Sequence, residues 1–152
     1  MKKYTLLVAA LLMSSSIFFG CKKEDDNTVS STNTMSSSQE VPTNSSTATG
    51  TVNVTFNKQT KDLTYTVTWS GLSAPASAMH FHGPALAGVN ASVLVGVNGF
   101  PNAASGSVTG TLNVGALALA SAEADLLAGK WYFNIHTATY PGGEIRGQVT
   151  FP

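Results

Sequence analysis

The fold of this chain is decided by the stretch Leu63-Thr64-Tyr65-Thr66-Val67-Thr68-Trp69, in which apolar and polar residues alternate strictly. The preceding stretch Val52-Asn53-Val54-Thr55-Phe56 has the same period of two. This alternation of β-branched and aromatic residues with polar residues is typical of half-buried strands, because successive side chains point to opposite faces. The polar segment 57–62 has the right length for a hairpin loop. Two antiparallel strands are therefore predicted, with Trp69 in the core and Thr68 outside it.

The pattern continues in short segments toward the C-terminus. Further strands are expected at Ala78–His82, Ser92–Val97, Ser107–Val114, Lys130–His136 and Glu144–Phe151. Tyr140-Pro141-Gly142-Gly143 suits a tight turn with a positive φ at its third residue. One short helix is expected near residues 121–129, with Ser121 as its N-cap and Gly129 as its end. Several short strands without alternating helices predict an all-β fold, either an antiparallel β-sandwich or a Greek-key barrel.

The first twenty residues have the layout of a secretory signal peptide. Two lysines precede an apolar run over residues 5–13, which is too short for a membrane-spanning anchor helix. Gly20 then stands directly before Cys21, the only cysteine of the chain. This arrangement resembles the lipobox of bacterial lipoproteins, although Phe18 and Phe19 replace the usual leucine and small residue. The resemblance implies that Cys21 becomes the acylated N-terminus and anchors the protein to a membrane in the cell envelope.

The residues after Cys21 are expected to form a flexible tether. Segment 27–38 consists almost entirely of Ser, Thr and Asn, which bury too little apolar surface to offset the entropy of ordering. The predicted organisation is a signal peptide at 1–20, an acylated Cys with a polar tether at 21–37, and one β domain at 38–152. Lys22-Lys23-Glu24-Asp25-Asp26 resembles the surface-export signal of some Gram-negative lipoproteins, which implies an outer-membrane location; the alternative is a solvated run of charges.

Composition excludes several classes of protein. Eight basic and eight acidic residues give a formal net charge of zero, and no basic stripe provides a nucleic-acid footprint. A single Cys excludes an intramolecular disulfide. The chain contains no Gly-x-Ser-x-Gly motif and no readable pair of carboxylates, so hydrolysis is not indicated and no catalytic residue is predicted.

The polar residues that could bind a metal or form a buried hydrogen-bond network lie on the predicted strands. His80 and His82 share one face of a strand, because residues two apart point the same way. Asn134 and His136 share a face of a later strand, and the final strand carries a polar row formed by Glu144, Arg146 and Gln148. If the Tyr140–Gly143 turn joins these two strands, His136 comes close to the Glu144/Arg146 row. His80, His82 and His136 are candidate metal ligands, and Asn134, Glu144, Arg146 and Gln148 are a candidate structural network.

Several short motifs together resemble the CHRD (chordin) domain family. They are Ser38-Gln39-Glu40-Val41-Pro42, His80-Phe81-His82-Gly83-Pro84-Ala85, Asp125-Leu126-Leu127-Ala128-Gly129, Asn134-Ile135-His136-Thr137 and Pro141-Gly142-Gly143-Glu144-Ile145-Arg146-Gly147-Gln148. The resemblance implies a β-sandwich of immunoglobulin-like or related barrel type. Bacterial members are exported proteins without an established activity. In animals the domain occurs in a secreted growth-factor antagonist, but separate cysteine-rich modules make its ligand contacts, and this chain lacks them.

Two functions remain open at this point. In one, the domain has a structural, adhesive or binding role and the polar residues form a hydrogen-bond network that fixes strand register. In the other, the three histidines bind copper or zinc, since neutral imidazole is a common ligand of both metals. The His-x-His pattern with a later His and Arg is also similar to the copper site of Cu/Zn superoxide dismutase. However, the chain lacks that enzyme's bridging His, its zinc ligands and its disulfide. The sequence does not identify a protein or glycan partner.

Overall fold

The computed structural model describes residues 27–152, so the predicted signal peptide and Cys21 lie outside the described residues. The eight strands are β1 (Thr28–Ser36), β2 (Thr49–Asn57), β3 (Asp62–Ser70), β4 (Ala76–His82), β5 (Val93–Gly96), β6 (Gly106–Asn113), β7 (Trp131–Thr137) and β8 (Ile145–Val149). A single α-helix within the described part, α1, spans Ala122–Leu127, and 3-10 turns lie at Ser37–Gln39 and Val114–Ala116. The all-β prediction is confirmed. None of the helices among residues 27–152 has the length and apolar character needed to span a membrane.

The strands form one curled antiparallel sheet in the order β5-β4-β7-β8-β1-β2-β3-β6. Strands β1 and β8 meet at a single registered pair, Ser36 with Arg146, so the sheet bends there. The halves on either side of this bend face each other, as in a sandwich. Tyr65 of β3 contacts Phe81 of β4 across the core, with ring centroids 5.2 Å apart.

The core follows the predicted period of two. The inward residues of β3, which include Val67 and Trp69, are buried, while Thr68 points to the opposite face and bonds the Thr51 hydroxyl at 2.8 Å. In β7 the residues Trp131, Phe133 and Ile135 are completely buried. The predicted assignment of faces is therefore confirmed in both halves of the sheet.

The flexible tether predicted through residue 37 is wrong for residues 28–36, which form strand β1. This strand pairs with β2 over its whole length, from Thr28 opposite Asn57 to Ser36 opposite Thr49. The sequence pattern did not predict β1, because its inward position 33 is occupied by a polar residue, Asn33. The Asn33 Oδ1 accepts hydrogen bonds from the backbone N–H and the hydroxyl of Thr150, which makes its burial possible. The domain therefore begins about ten residues earlier than residue 38.

The predicted helix and turn are present, with differences in their details. Gly129 ends α1 with a φ of +69°, and the Lys130 N–H bonds the Asp125 carbonyl oxygen, as in a Schellman motif. Ser121, however, makes no side-chain hydrogen bond to the start of the helix. In the turn, the Gly143 N–H bonds the Tyr140 carbonyl oxygen, and the positive φ falls on Gly143 at the fourth position.

Candidate functional site

The three histidines lie together on the outer face of β4 and β7. His80 is registered opposite Asn134, and His136 is registered opposite Ala78. Because the buried residues Met79 and Phe81 fix the inner face of β4, His80 and His82 must point outward. The sequence prediction that His80 and His82 project together is confirmed, and the pairing of β4 with β7 adds His136.

The histidine nitrogens converge on a small volume. The Nδ1 atom of His80 is 3.0 Å from the Nε2 atom of His136. One ligand nitrogen from each of the three rings lies within 4.8 Å of the others. Asn134, only 3% exposed, lies between the rings, with its Oδ1 atom 3.1 Å from His82 Nε2 and 3.0 Å from His136 Nε2.

Backbone carbonyl groups fix the tautomers of two of these rings. The Nδ1–H of His82 donates to the carbonyl oxygen of Ala91 at 3.0 Å, and the Nδ1–H of His136 donates to that of Pro141 at 2.9 Å. A carbonyl oxygen can only accept, so these Nδ1 atoms carry the hydrogens. In the neutral rings the two Nε2 atoms then present lone pairs toward His80 and Asn134.

The surroundings of His80 and His136 favour the neutral form of both imidazoles, because they lower the two pKa values. Burial, followed by the charges of the neighbouring rings, lowers the pKa of His80. Burial also lowers the pKa of His136, against the opposite effect of its hydrogen bond to Pro141. A lowered pKa keeps an imidazole unprotonated near neutral pH, which is the form that binds metals.

Arg146 of β8 is buried in a stack beside this cluster. Its guanidinium carbon is 3.4 Å from the centroid of the Tyr132 ring, and that ring is parallel to His82 at 4.7 Å. The Nη2 atom of Arg146 donates to the Val89 carbonyl oxygen at 2.9 Å, and its Nη1 atom donates to Asn90 Oδ1 at 3.2 Å. Arg146 therefore ties the loop between β4 and β5 onto the outer face.

We expect Arg146→Lys to lower the free energy of unfolding by about 2–3 kcal/mol although the charge is kept. A lysine ammonium cannot stack flat on Tyr132 or supply the same fork of donors to Val89 and Asn90. Urea unfolding of the two proteins measures the effect. Lys130→Arg, a swap between the same residue types at a half-exposed position, is the control and should change little. A change within about ±0.5 kcal/mol for Arg146→Lys would contradict the prediction.

Glu40 is a buried carboxyl group that sequence analysis did not single out. It is 4% exposed, and its Oε1 atom has no hydrogen-bond partner among the described residues. Burial raises the pKa of Glu40 to about 7, although the charge of Arg146 and hydrogen bonds from Val41 and Asn134 oppose the rise. Gly143 permits this packing, since a Cβ atom there would clash with the Glu40 carboxyl and lie 2.9 Å from Asn134 Nδ2.

Glu40 should make stability fall with rising pH. Between about 4.5 and about 7 the folded state holds a proton on Glu40 that the unfolded state has lost, so the free energy of unfolding decreases across this window. A shift of this size corresponds to roughly 3 kcal/mol. The check is chemical denaturation of chelator-treated protein at several pH values, with Glu40→Gln as reference. The reference is needed because the lowered pKa values of His80 and His136 act in the opposite direction as the pH rises toward their ordinary pKa of 6.5. A difference between the two proteins that does not vary with pH would contradict the assignment.

The sequence predicted that Glu144 shares a polar row with Arg146, but Glu144 makes its hydrogen bonds elsewhere. Its carboxylate is completely buried and accepts hydrogen bonds from three residues: Ser46, through its hydroxyl; Ser73, through its N–H and hydroxyl; and Thr137, through its hydroxyl. None of these donors belongs to the histidine cluster. The strand β8 begins only at Ile145, so the alternation of faces does not extend to Glu144. Of the predicted polar network, Asn134 belongs to the histidine cluster and Gln148 bonds the carbonyl oxygens of Ala85 and Gly129.

Comparison with known proteins gives one match. The family model of the CHRD domain matches residues 31–149. The chain belongs to the CHRD domain family. No curated protein and no solved structure matches the chain. The CHRD match begins inside β1, which agrees with the earlier start of the domain.

Sequence analysis identified the CHRD residues on the strands but missed those that surround them. Glu40 lies in a non-strand segment, and the carbonyl groups of Ala91 and Pro141 have no sequence signature. The only signal for Glu40 was its place in the Ser38–Pro42 motif, which the family resemblance included. Chemically, the assembled cluster offers two oriented imidazole lone pairs, a third imidazole and an amide oxygen in a partly shielded position.

Proposed function

We propose that this protein is a membrane-anchored CHRD domain outside the cytoplasm that binds one zinc or copper ion through His80, His82 and His136. Its role is structural or binding rather than catalytic. One observation carries the metal proposal: backbone carbonyl groups hold His82 and His136 so that their Nε2 lone pairs lie, with a nitrogen of His80, within 4.8 Å of one another. Metal-binding histidines commonly donate their other ring N–H to a carbonyl or carboxylate in this way.

The spacing of the nitrogens supports the same conclusion. Zinc–nitrogen distances of about 2.0–2.1 Å in a tetrahedral site place ligand nitrogens about 3.3–3.4 Å apart. The His80–His136 separation of 3.0 Å and the 4.8 Å limit for all three rings bracket that value. Small side-chain rotations therefore bring the set into coordination geometry.

The anchoring part of the proposal rests on Cys21 and the residues around it. Cys21 directly follows a signal-like apolar segment, and the family match begins about ten residues after it. Three acyl chains at this cysteine would anchor the protein stably, whereas one chain alone gives marginal binding. The expected location is the outer membrane, with the domain exposed at the surface. Mass spectrometry of the membrane fraction should find Cys21 acylated at the mature N-terminus; an unmodified Cys21 or another start would overturn this part.

A purely structural role is the second candidate, and the burial of Arg146 favours it. Arg146 is 1% exposed and His82 is 8% exposed, so part of the polar face acts as interior. In this case the histidines would serve as hydrogen-bonding residues that hold the loop between β4 and β5. The two candidates differ in whether the cluster takes up a metal.

The deciding experiment is metal analysis of the full-length, lipidated protein in detergent, purified without a polyhistidine tag. After chelation and titration with Zn²⁺ or Cu²⁺, the wild type should bind one equivalent that resists dialysis. The double variant His80→Ala/His82→Ala should bind none, while Thr109→Ala, on the outer face of β6, should match the wild type. Zinc should also raise the unfolding temperature of the wild type and of the control variant only. Wild-type binding no greater than that of the double variant would overturn the proposed metal site and leave the structural role.

A further inference from the structure

We infer that Asn134 is the fourth ligand of the proposed metal site, through Oδ1, and that Glu40 is the residue that positions its amide group. The inference rests on the proposed metal-binding function and extends it to a fourth ligand and a choice of metal. Asn134 is buried at the floor of the cluster, and its Oδ1 atom is 3.0–3.1 Å from two of the proposed ligand nitrogens.

The distribution of hydrogens around Asn134 supports a cation. The Nδ1 hydrogens of His82 and His136 already point to carbonyl oxygens, so the Nε2 atoms of the neutral rings carry lone pairs. An amide oxygen is also an acceptor. The Oδ1 atom of Asn134 therefore lies 3.0–3.1 Å from two acceptor nitrogens, and neither of these two short contacts contains a hydrogen. The Nδ1–H of His80 can donate to His136 Nε2, but that hydrogen does not lie on the contacts with Oδ1. A metal ion bound by Oδ1 and both acceptor nitrogens converts this repulsion into attraction.

The position of Glu40 explains why the oxygen, and not the nitrogen, of Asn134 faces the rings. The Nδ2 atom of Asn134 and the Oε1 atom of Glu40 both lie beside Gly143, where a Cβ atom would touch each of them. The Glu40 carboxyl accepts from an amide N–H, and rotating the amide by half a turn would oppose two oxygens instead. The Oε1 atom makes no other hydrogen bond of regular geometry among the described residues, and Asn134 is the side-chain donor that acts on the Glu40 carboxyl.

This ligand set favours divalent over monovalent metals. Three imidazoles and an amide oxygen contain no thiolate or thioether, the soft ligands that select Cu⁺. No cysteine or carboxylate among residues 27–152 joins the histidine group, so the set is neutral. The carboxyl of Glu40 lies behind Asn134 and does not belong to the ligand group. Zn²⁺ and Cu²⁺ are the ions that this arrangement should bind, and Cu⁺ should bind far more weakly.

The test compares variants of the full-length lipidated protein by competition with a chelator for Zn²⁺ and by electron paramagnetic resonance of the Cu²⁺ form. Asn134→Leu should weaken zinc binding by about 10–100-fold, the range found when groups supporting a metal are removed. Asn134→Asp keeps an oxygen ligand but places its second oxygen against Glu40, so it is combined with Glu40→Gln, whose amide N–H can donate to that oxygen. The double variant Asn134→Asp/Glu40→Gln should bind zinc at least as tightly as the wild type. Gln148→Leu, which replaces an amide on the same face outside the cluster, is the control and should leave affinity unchanged.

Glu40→Gln tests the positioning role. It should shift the Cu²⁺ spectrum and weaken zinc binding while the coupling to three nitrogens is kept, and Glu40→Asp should restore part of the loss. A merely structural Glu40 would change the unfolding temperature but not the spectrum.

Wild-type zinc affinity and spectrum in Asn134→Leu would overturn the inference while the three-histidine site stands. Absence of metal from the wild type would overturn the three-histidine site and this inference together. If Asn134→Leu does not fold, weaker zinc binding by Asn134→Asp/Glu40→Gln than by the wild type overturns the fourth ligand.

Discussion

Replacing Glu144 by alanine is expected to lower the free energy of unfolding by about 3–5 kcal/mol, a large part of the stability of an ordinary domain. The carboxylate is completely buried and accepts four hydrogen bonds from Ser46, Ser73 and Thr137. Its removal leaves the buried Thr137 hydroxyl without its acceptor and leaves the donors of the more exposed Ser46 and Ser73 to water. Urea denaturation monitored by tryptophan fluorescence measures the loss.

The control for Glu144 is Glu123→Ala. Glu123 forms a 2.8 Å ion pair with Lys61, but both side chains are more than a third exposed, so its loss should cost less than about 1 kcal/mol. Similar losses for the two variants would show that the Glu144 hydrogen bonds contribute little.

Acid should also reveal the role of Glu144. Burial pushes its pKa upward, but the hydrogen bonds from Thr137, Ser46 and Ser73 outweigh this effect, and the net pKa is lowered from 4.5. The stabilisation is therefore present above about 4.5 and is lost as the pH falls through the lowered value. Glu144→Gln should lose this part of the acid sensitivity.

Trp69→Ala should cost about 3–5 kcal/mol, because it removes the largest inward side chain of β3. Trp69 is 3% exposed, and its indole N–H donates to the Ala103 carbonyl oxygen at 3.1 Å. Its ring also fills the space beside Gly106, where a Cβ atom would lie 2.7 Å from it. The truncation thus leaves a cavity and removes one of the two hydrogen bonds to the Ala103 carbonyl oxygen, which keeps the bond from the Ala76 N–H. Chemical denaturation followed by circular dichroism measures the loss.

Thr68→Ala is the matched control for Trp69. It changes the neighbouring residue on the opposite face and removes one partly exposed hydroxyl contact with Thr51. Its expected cost is below about 1 kcal/mol. An equal or larger loss for Thr68→Ala would show that the inner and outer faces of β3 have been exchanged.

Much of the candidate site could be predicted because its histidines lie on regular strands. His80 and His82 are two residues apart, and their neighbours Met79 and Phe81 are strongly apolar, so local sequence alone assigns the faces of β4. The same reasoning placed Arg146 and Gln148 on one side of β8. It failed for Glu144, because that residue precedes the regular strand and its side chain turns to donors at Ser46 and Ser73.

By itself, the sequence determined the all-β class, the faces of the regular strands and the shared face of His80 and His82. These features depend on a period of two, which is a local property of the chain. Only the tertiary structure decided that the polar segment 28–36 is a strand, that Glu40 lies behind Asn134, and that carbonyl groups of Ala91 and Pro141 orient two imidazoles. Each of these depends on tertiary contacts between a loop or a sheet edge and residues that are distant in the sequence, such as the contact between Glu40 and Asn134. Hydrophobic periodicity carries no information about such contacts, since they are made by polar groups whose burial becomes favourable only once their partners are in place.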